Sequence, residues 1–189
     1  MPNKQLPYPE PPWSDGRIGM RRWQEADVEC IRLASTDPEI PKATTIPSTF
    51  TTAEGLAFIH RQWNRAQNGE GVTQAVVEAH SDRAVGLTWV ALRPQPHVGG
   101  LGYWIVPPER GHGVATAAFR LITPWALDAL NLRRLEAWAE PQNLASQRVL
   151  LNAGFQQEGR LRNFLNTESA CPTRWCSRSF RNRGGLQQV

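Results

Sequence analysis

The chain has 189 residues, 40% of them hydrophobic and 20% charged, with 21 Lys and Arg against 17 Asp and Glu. That length supports one domain with a full core, and no apolar run approaches the roughly 20 residues that a bilayer span needs. The N-terminus lacks the charged-then-apolar order of a secretory leader, so a cytoplasmic location is expected. Cys30, Cys171 and Cys176 are odd in number and have no paired spacing, and His60, His80, His97 and His112 are scattered. These patterns argue against a disulfide framework, a structural zinc site or any metal centre. Part of the basic excess sits in Arg174, Arg178, Arg181 and Arg183. Without interleaved aromatics this reads as a solvated tail rather than a nucleic-acid surface.

In chain order, Pro2, Pro7, Pro9, Pro11 and Pro12 predict an extended arm, because proline supplies no amide donor. The arm is assigned to residues 1–15, a single domain to 16–181 and a tail to 182–189. Residues 17–23 alternate as a first strand. Residues 25–35 carry Val28, Ile31 and Leu33 near a helical period, and Asp37-Pro38 stops that helix. Residues 41–52 read as a loop. Thr52 then caps a helix with Ala53, Leu56, Ile59 and Trp63 on one face, ended by Asn68-Gly69. Strands are predicted over 73–79, 84–92 and 101–106. A helix over 115–130 carries Pro124 near its middle, where a kink costing about 3 kcal/mol is expected. A strand over 132–139, a helix over 143–153 ended by Gly154, and a strand over 155–159 follow.

The chemistry concentrates at two strand-to-helix junctions. The first is Pro108-Glu109-Arg110-Gly111-His112-Gly113-Val114-Ala115-Thr116. A glycine-rich turn opening a helix presents backbone N–H groups and the positive end of the helix dipole to an anion. Gly111 and Gly113 allow close approach of a phosphate. The turn is neither a Walker A loop nor a complete dinucleotide fingerprint, and a plain tight turn is the competing reading. The second junction is Glu140-Pro141-Gln142-Asn143-Leu144-Ala145-Ser146, followed by Gly154-Phe155. Here Asn143 has the chemistry of a helix N-cap, and Ser146 lies in the first turn.

Taken together, GYWIVPPERGHGVAT, EPQNLAS and AGF resemble the GNAT acyltransferase superfamily, and within it the Rim-like ribosomal-protein N-terminal acetyltransferase group. The early segments RRWQEADVECI and DPEI resemble the same group. The resemblance spans residues 17–162. It implies an α+β, three-layer fold: a mixed, mostly antiparallel sheet of six to seven strands flanked by about four helices.

It also implies transfer of an acyl group from acetyl-CoA, or another acyl-CoA, to a primary amine by direct attack. The pyrophosphate would rest on the backbone of Arg110, Gly111, His112, Gly113, Val114, Ala115 and Thr116. Pantetheine would pair like a strand beside Trp104, Ile105 and Val106, where a bulge splays two parallel strands. The amide near Ile105 would polarise the thioester carbonyl. Asn143 would hold cofactor amides, and Ser146 would face the departing thiolate. Tyr103 is read as a packed strand residue, and His112 as a surface residue or phosphate contact.

The amine must lose a proton before it attacks. Relatives carry a glutamate on the strand that ends in GYW, whereas this chain has Gly99-Gly100. Glu140 and Glu168 are the remaining acidic candidates, with solvent relay the stronger expectation. A second departure is Thr173 to Phe180, TRWCSRSF, which alternates poorly where relatives have a closing strand. Either that strand is irregular or the region is remodelled around another acceptor.

The acceptor is a protein N-terminal α-amine or a small amine such as an antibiotic, polyamine or amino-acid-derived metabolite. Residues 41–50 and 167–172 are expected to wall its site. Trp13, Trp63 and Trp89 either line it or pack in the core. Glu39 and Glu168 are the acidic residues near those walls, which disfavours polycations. Two alternatives stay open: a non-catalytic CoA-sensing module, and an acyltransferase using succinyl-CoA or an acyl-tRNA. A monomer or homodimer is expected.

Overall fold

The fold is described from a computed structural model, for residues 5–10 and 12–161 with their side chains and for residue 162 and 176–183 by backbone. Eight strands form one sheet: β1 (Trp13–Ser14), β2 (Ile18–Arg21), β3 (Gly71–Glu78), β4 (Ala84–Leu92), β5 (Val98–Ile105), β6 (Arg134–Ala139), β7 (Gln156–Arg162) and β8 (Cys176–Arg183). Their order is β1-β2-β3-β4-β5-β6-β8-β7. Every neighbouring pair is antiparallel except β5 and β6. Five α-helices accompany the described strands: α1 (Val28–Ser35), α2 (Ile40–Ala43), α3 (Thr52–Gln67), α4 (Val114–Ala129) and α5 (Leu144–Asn152). This is the mixed, mostly antiparallel sheet with flanking helices that the sequence implies, with β1 as a short additional edge.

Ring contacts show how the helices divide between the faces. Trp23 packs edge-on against Phe58 of α3 and at 6.1 Å against Trp104 of β5, which seats α1 and α3 on one face. On the other face Phe119 of α4 meets Tyr103 at 5.2 Å and Phe155 at 5.7 Å. Met20, Val76, Leu87, Leu101, Ile122 and Leu135 are each at most 3% exposed. Burial of this kind stabilises by about 25 cal/mol per Å² of apolar surface.

Several local expectations are corrected. The cap of α3 is Thr51, whose hydroxyl accepts from the Glu54 amide at 3.2 Å, rather than Thr52. Residues 41–52 are not all loop. The Asp37 carboxylate accepts from the amides of Glu39 and Ile40 and organises α2, whose proline lies in the first turn, where a missing N–H costs little. Pro124 lies inside α4 and the helix continues past it, as the expected kink, unlike a stop, allows. β5 begins at Val98, earlier than the apolar run suggests, because Gly99 and Gly100 extend the ladder with β4. α5 ends as expected: Gly154 has φ +88°, and the amides of Gly154 and Phe155 donate to Leu151 and Leu150.

Of the poorly alternating C-terminal segment, residues 173–175 lie outside the described residues, and from Cys176 onward it is a strand paired regularly with β6. β8 pairs with it continuously from Arg134↔Arg183 to Ala139↔Arg178. The irregularity lies on its other side, a register shift against β7 between Gln157 and Gly159. Backbone pairing on both edges forms β8 without an apolar alternation.

Candidate active site

The two parallel strands part in the middle of the sheet. β5 and β6 pair only at Val98↔Arg134, Gly99↔Leu135 and Gly100↔Glu136. Beyond Gly100, β5 continues to Ile105 on β4 alone, while β6 continues to Ala139 on β8. The ladder sets which backbone groups face the opening. The Arg93 amide donates to Val98 and the Val106 amide to Val85. With the β4–β5 register, the antiparallel alternation commits even-numbered β5 residues to β4. It turns the amides and carbonyls of Tyr103 and Ile105 toward the gap. Of the expected trio, then, Ile105 offers backbone to an added strand, whereas Trp104 and Val106 are spent on β4. Tyr103, not singled out from sequence for this role, is the second offering. The Trp104 side chain lies on the α1–α3 face against Trp23.

The glycine turn follows at once. Gly111 and Gly113 have φ of +81° and +75°, which an L side chain rarely adopts. A Cβ on Gly111 would meet nothing within 4 Å, so open space adjoins that backbone. Gly113 is the N-cap of α4, and the first intrahelical bond runs from Ala117 to Gly113. Helix geometry therefore leaves the amides of Val114, Ala115 and Thr116 without a carbonyl one turn back. Val114 and Ala115 are buried, and His112 is exposed with its carbonyl accepting from Arg17 at 2.9 Å.

Arg110 points its side chain away from the turn. Its Nε donates to the Ile105 carbonyl at 2.8 Å, and its guanidinium pairs with Asp37 at 2.7 Å. Burial alone would raise the Asp37 carboxyl. The amides of Ile40 and Glu39 and the Arg110 guanidinium outweigh it and hold the carboxyl below its usual range. Arg110 thus locks the end of β5 to α2. Arg17 and Asp37 are contributors that the sequence reading passed over, because a partner more than 70 residues away leaves no local pattern.

Across the gap, Asn143 caps α5 by accepting from the Ser146 amide at 2.9 Å. The same Ser146 places its hydroxyl 3.0 Å from the Tyr103 hydroxyl. This pair joins β5 to α5 where the parallel ladder has ended. Burial pushes the Tyr103 phenol upward, opposed by its bond to Ser146 and by Arg110, so it stays protonated at neutral pH.

The acidic candidates divide. Glu140 is half-buried, and its carbonyl accepts from the Asn143 amide and from Gln147 Nε2. Glu168 and the segment 167–172 lie outside the described residues. Glu136, which the sequence reading did not weigh, stands directly opposite Gly100, with its carboxylate held by Arg134 Nε at 2.6 Å. Of the tryptophans, Trp13 packs on Trp125 and Trp63 donates to the Trp23 carbonyl. Trp89 lies over Gly102, on the face that carries Gly100. Among the described residues no cluster of His, Cys, Asp or Glu could hold a metal, and no helix is long and apolar enough to cross a membrane.

Residues 17–156 match the family model described as "Acetyltransferase (GNAT) domain". The chain belongs to the GNAT acetyltransferase family, and with that domain and its relatives it is an N-acetyltransferase. It is 34% identical over 113 residues to the probable N-acetyltransferase YjcK of Bacillus subtilis, a match covering 58% of this chain and 62% of that one. Among solved structures it is similar to a putative ribosomal-protein-serine acetyltransferase from Vibrio cholerae (TM-score 0.75, 19% identity, 93% of this chain and 98% of that one). It is also similar to Mycobacterium smegmatis RimJ in complex with CoA-disulfide (TM-score 0.76, 20% identity, 91% and 85% covered).

Proposed function

We propose that this protein moves an acetyl group from acetyl-CoA to a primary amine by direct attack. The observation that carries this reading is the parted β5–β6 pair, which turns the backbone of Tyr103 and Ile105 into a gap that leads straight to the glycine turn. An amide-bearing, phosphate-ended thioester fits that run. Its amides extend the β5 ladder, and its pyrophosphate meets the free N–H groups from Gly111 to Thr116 with the helix dipole behind them. Family membership and the CoA held by the similar RimJ structure support the same donor.

The chain's own residues then divide the work. The Ile105 and Tyr103 amides face the gap, where an N–H can stabilise negative charge developing on the thioester oxygen. The Ile105 carbonyl is already occupied by Arg110, which fixes this backbone before substrate arrives. The amine nitrogen attacks the carbonyl carbon, the C–S bond breaks, and the thiolate takes a proton from the Ser146–Tyr103 hydroxyl pair, which solvent then reprotonates. The amine's own proton passes to solvent, because Gly99-Gly100 offers no carboxylate and Glu136 is ion-paired. Glu140 is kept for shaping the α5 N-terminus.

The test is release of free thiol from acetyl-CoA over a panel of amines and peptide N-termini. Amine-dependent release, with mass spectrometry showing one acetyl group added to the acceptor, is expected. Tight donor binding with no release for any acceptor contradicts the reading.

A further inference from the structure

Next to the point where β5 and β6 part, a cation lies across the sheet. Arg93 follows β4 and its side chain crosses β5. A Cβ on Gly100 would sit 2.4 Å from an Arg93 Nη and 2.6 Å from its Cζ, so the guanidinium rests on the bare glycine backbone. It ends 3.9 Å from the centre of the Trp138 ring on β6, a cation–π contact that fixes its position. Beside it the Trp89 indole lies on Gly102 in the same way, with Nε1 2.3 Å from where a Cβ would be. Two glycines thus make a flat shelf, and an arginine and a tryptophan cover it.

This guanidinium is undersatisfied. Its Nε is buried with no hydrogen-bond partner among the described residues. Glu136, the carboxylate that acts on it, is paired with Arg134. Burial lowers the Arg93 guanidinium somewhat, with Glu136 opposing. The Nε is enclosed, so it is the Nη fork of this held, half-buried cation that can take a carboxylate. Gly100 is three residues before Tyr103, about 10 Å along a strand. That distance accommodates an acceptor whose nitrogen attacks near Tyr103 while its carboxylate meets Arg93. The same cation disfavours the ammonium form of a nearby amine and so helps to supply the free base.

We propose that the acceptor is a small amine carrying a carboxylate close to its nitrogen, of the α-amino-acid class, with Arg93 binding the carboxylate. The proposal rests on the acetyl-transfer reading above and adds the substrate class to it.

The experiment compares free α-amino acids with their amides and their decarboxylated amines. It measures thiol release from acetyl-CoA and, in parallel, quenching of tryptophan fluorescence as a report of binding beside Trp138. Acids are expected to exceed the matched amides about ten- to hundredfold in kcat/KM, the factor of a charge-assisted hydrogen bond. The acid-to-amide ratio is expected to fall toward one in R93Q. G100A, which displaces only the flexible end of Arg93, is expected to lower the ratio too. Amides, simple amines or peptide N-termini used as well as acids, or a ratio unchanged in R93Q, overturn the carboxylate site while acetyl transfer stands. Arg93-dependent quenching by acids without thiol release keeps the carboxylate site and refutes acetyl transfer. Neither quenching nor release with any acid overturns the proposal.

Discussion

At the scale of single residues, the proposed mechanism depends most on the contact between the Tyr103 and Ser146 hydroxyls. It spans 3.0 Å between a strand and a helix that no ladder joins at that level. The Tyr103 ring is held by Phe119, and the Ser146 backbone by the Asn143 cap. Both hydroxyls therefore occupy fixed positions before any substrate binds. Tyr103→Phe removes the phenolic O–H but keeps the ring packing. It is expected to lower kcat by about a hundredfold, the scale of a proton donor's contribution, with little change in the KM for acetyl-CoA. Steady-state thiol release checks this, and an unchanged kcat excludes Tyr103 from proton delivery. The sequence made Ser146 legible because the NLAS junction carries its own cap. Tyr103 reads from sequence as a packed strand residue rather than an acid, because alternation along a strand marks which face a residue takes, not what crosses a gap toward it.

At the scale of elements, the glycine turn is tied to its surroundings by side chains rather than by backbone. Arg110 bridges the end of β5 to Asp37, and Asp37 in turn organises α2 through the Glu39 and Ile40 amides. The Asp37 carboxyl titrates lower in the folded protein than in the unfolded chain. Its stabilisation is therefore present above the unfolded value, near 4, and is lost as pH falls through the folded one. Asp37→Asn keeps an oxygen for the α2 cap but loses the charge. The variant should melt below the wild type at pH 7, and the gap in Tm should narrow progressively as pH falls below about 4. Thermal unfolding across that range measures it, and a pH-independent gap contradicts the role given to the charge. Elements with local punctuation were readable from sequence: the strand–glycine–helix junction, the α5 cap and the Gly154 stop. α2 was missed because its signal, Asp37-Pro38, doubles as a helix stop. β8 stays open in sequence between an irregular strand and a remodelled region, because two paired edges form it without an apolar alternation.

At the scale of the whole molecule, function depends on a sheet that fails to close. The sheet has seven strand junctions, and the β5–β6 junction, paired at three positions only, is the one the proposed reading uses as a site. The gap has a hydroxyl pair, the glycine turn at one end and the Arg93 shelf at the other, and in the proposed reading donor and acceptor meet end to end across it. The order of motifs pointed to this arrangement, but its details come from long-range register: which β5 residues turn their backbone inward, and what lies over Gly100. The measurement that tests it most directly is calorimetric titration of acetyl-CoA into the purified protein. The account predicts one site per chain with a Kd in the micromolar range, the scale typical of enzyme substrates. No heat of binding at millimolar acetyl-CoA would contradict it.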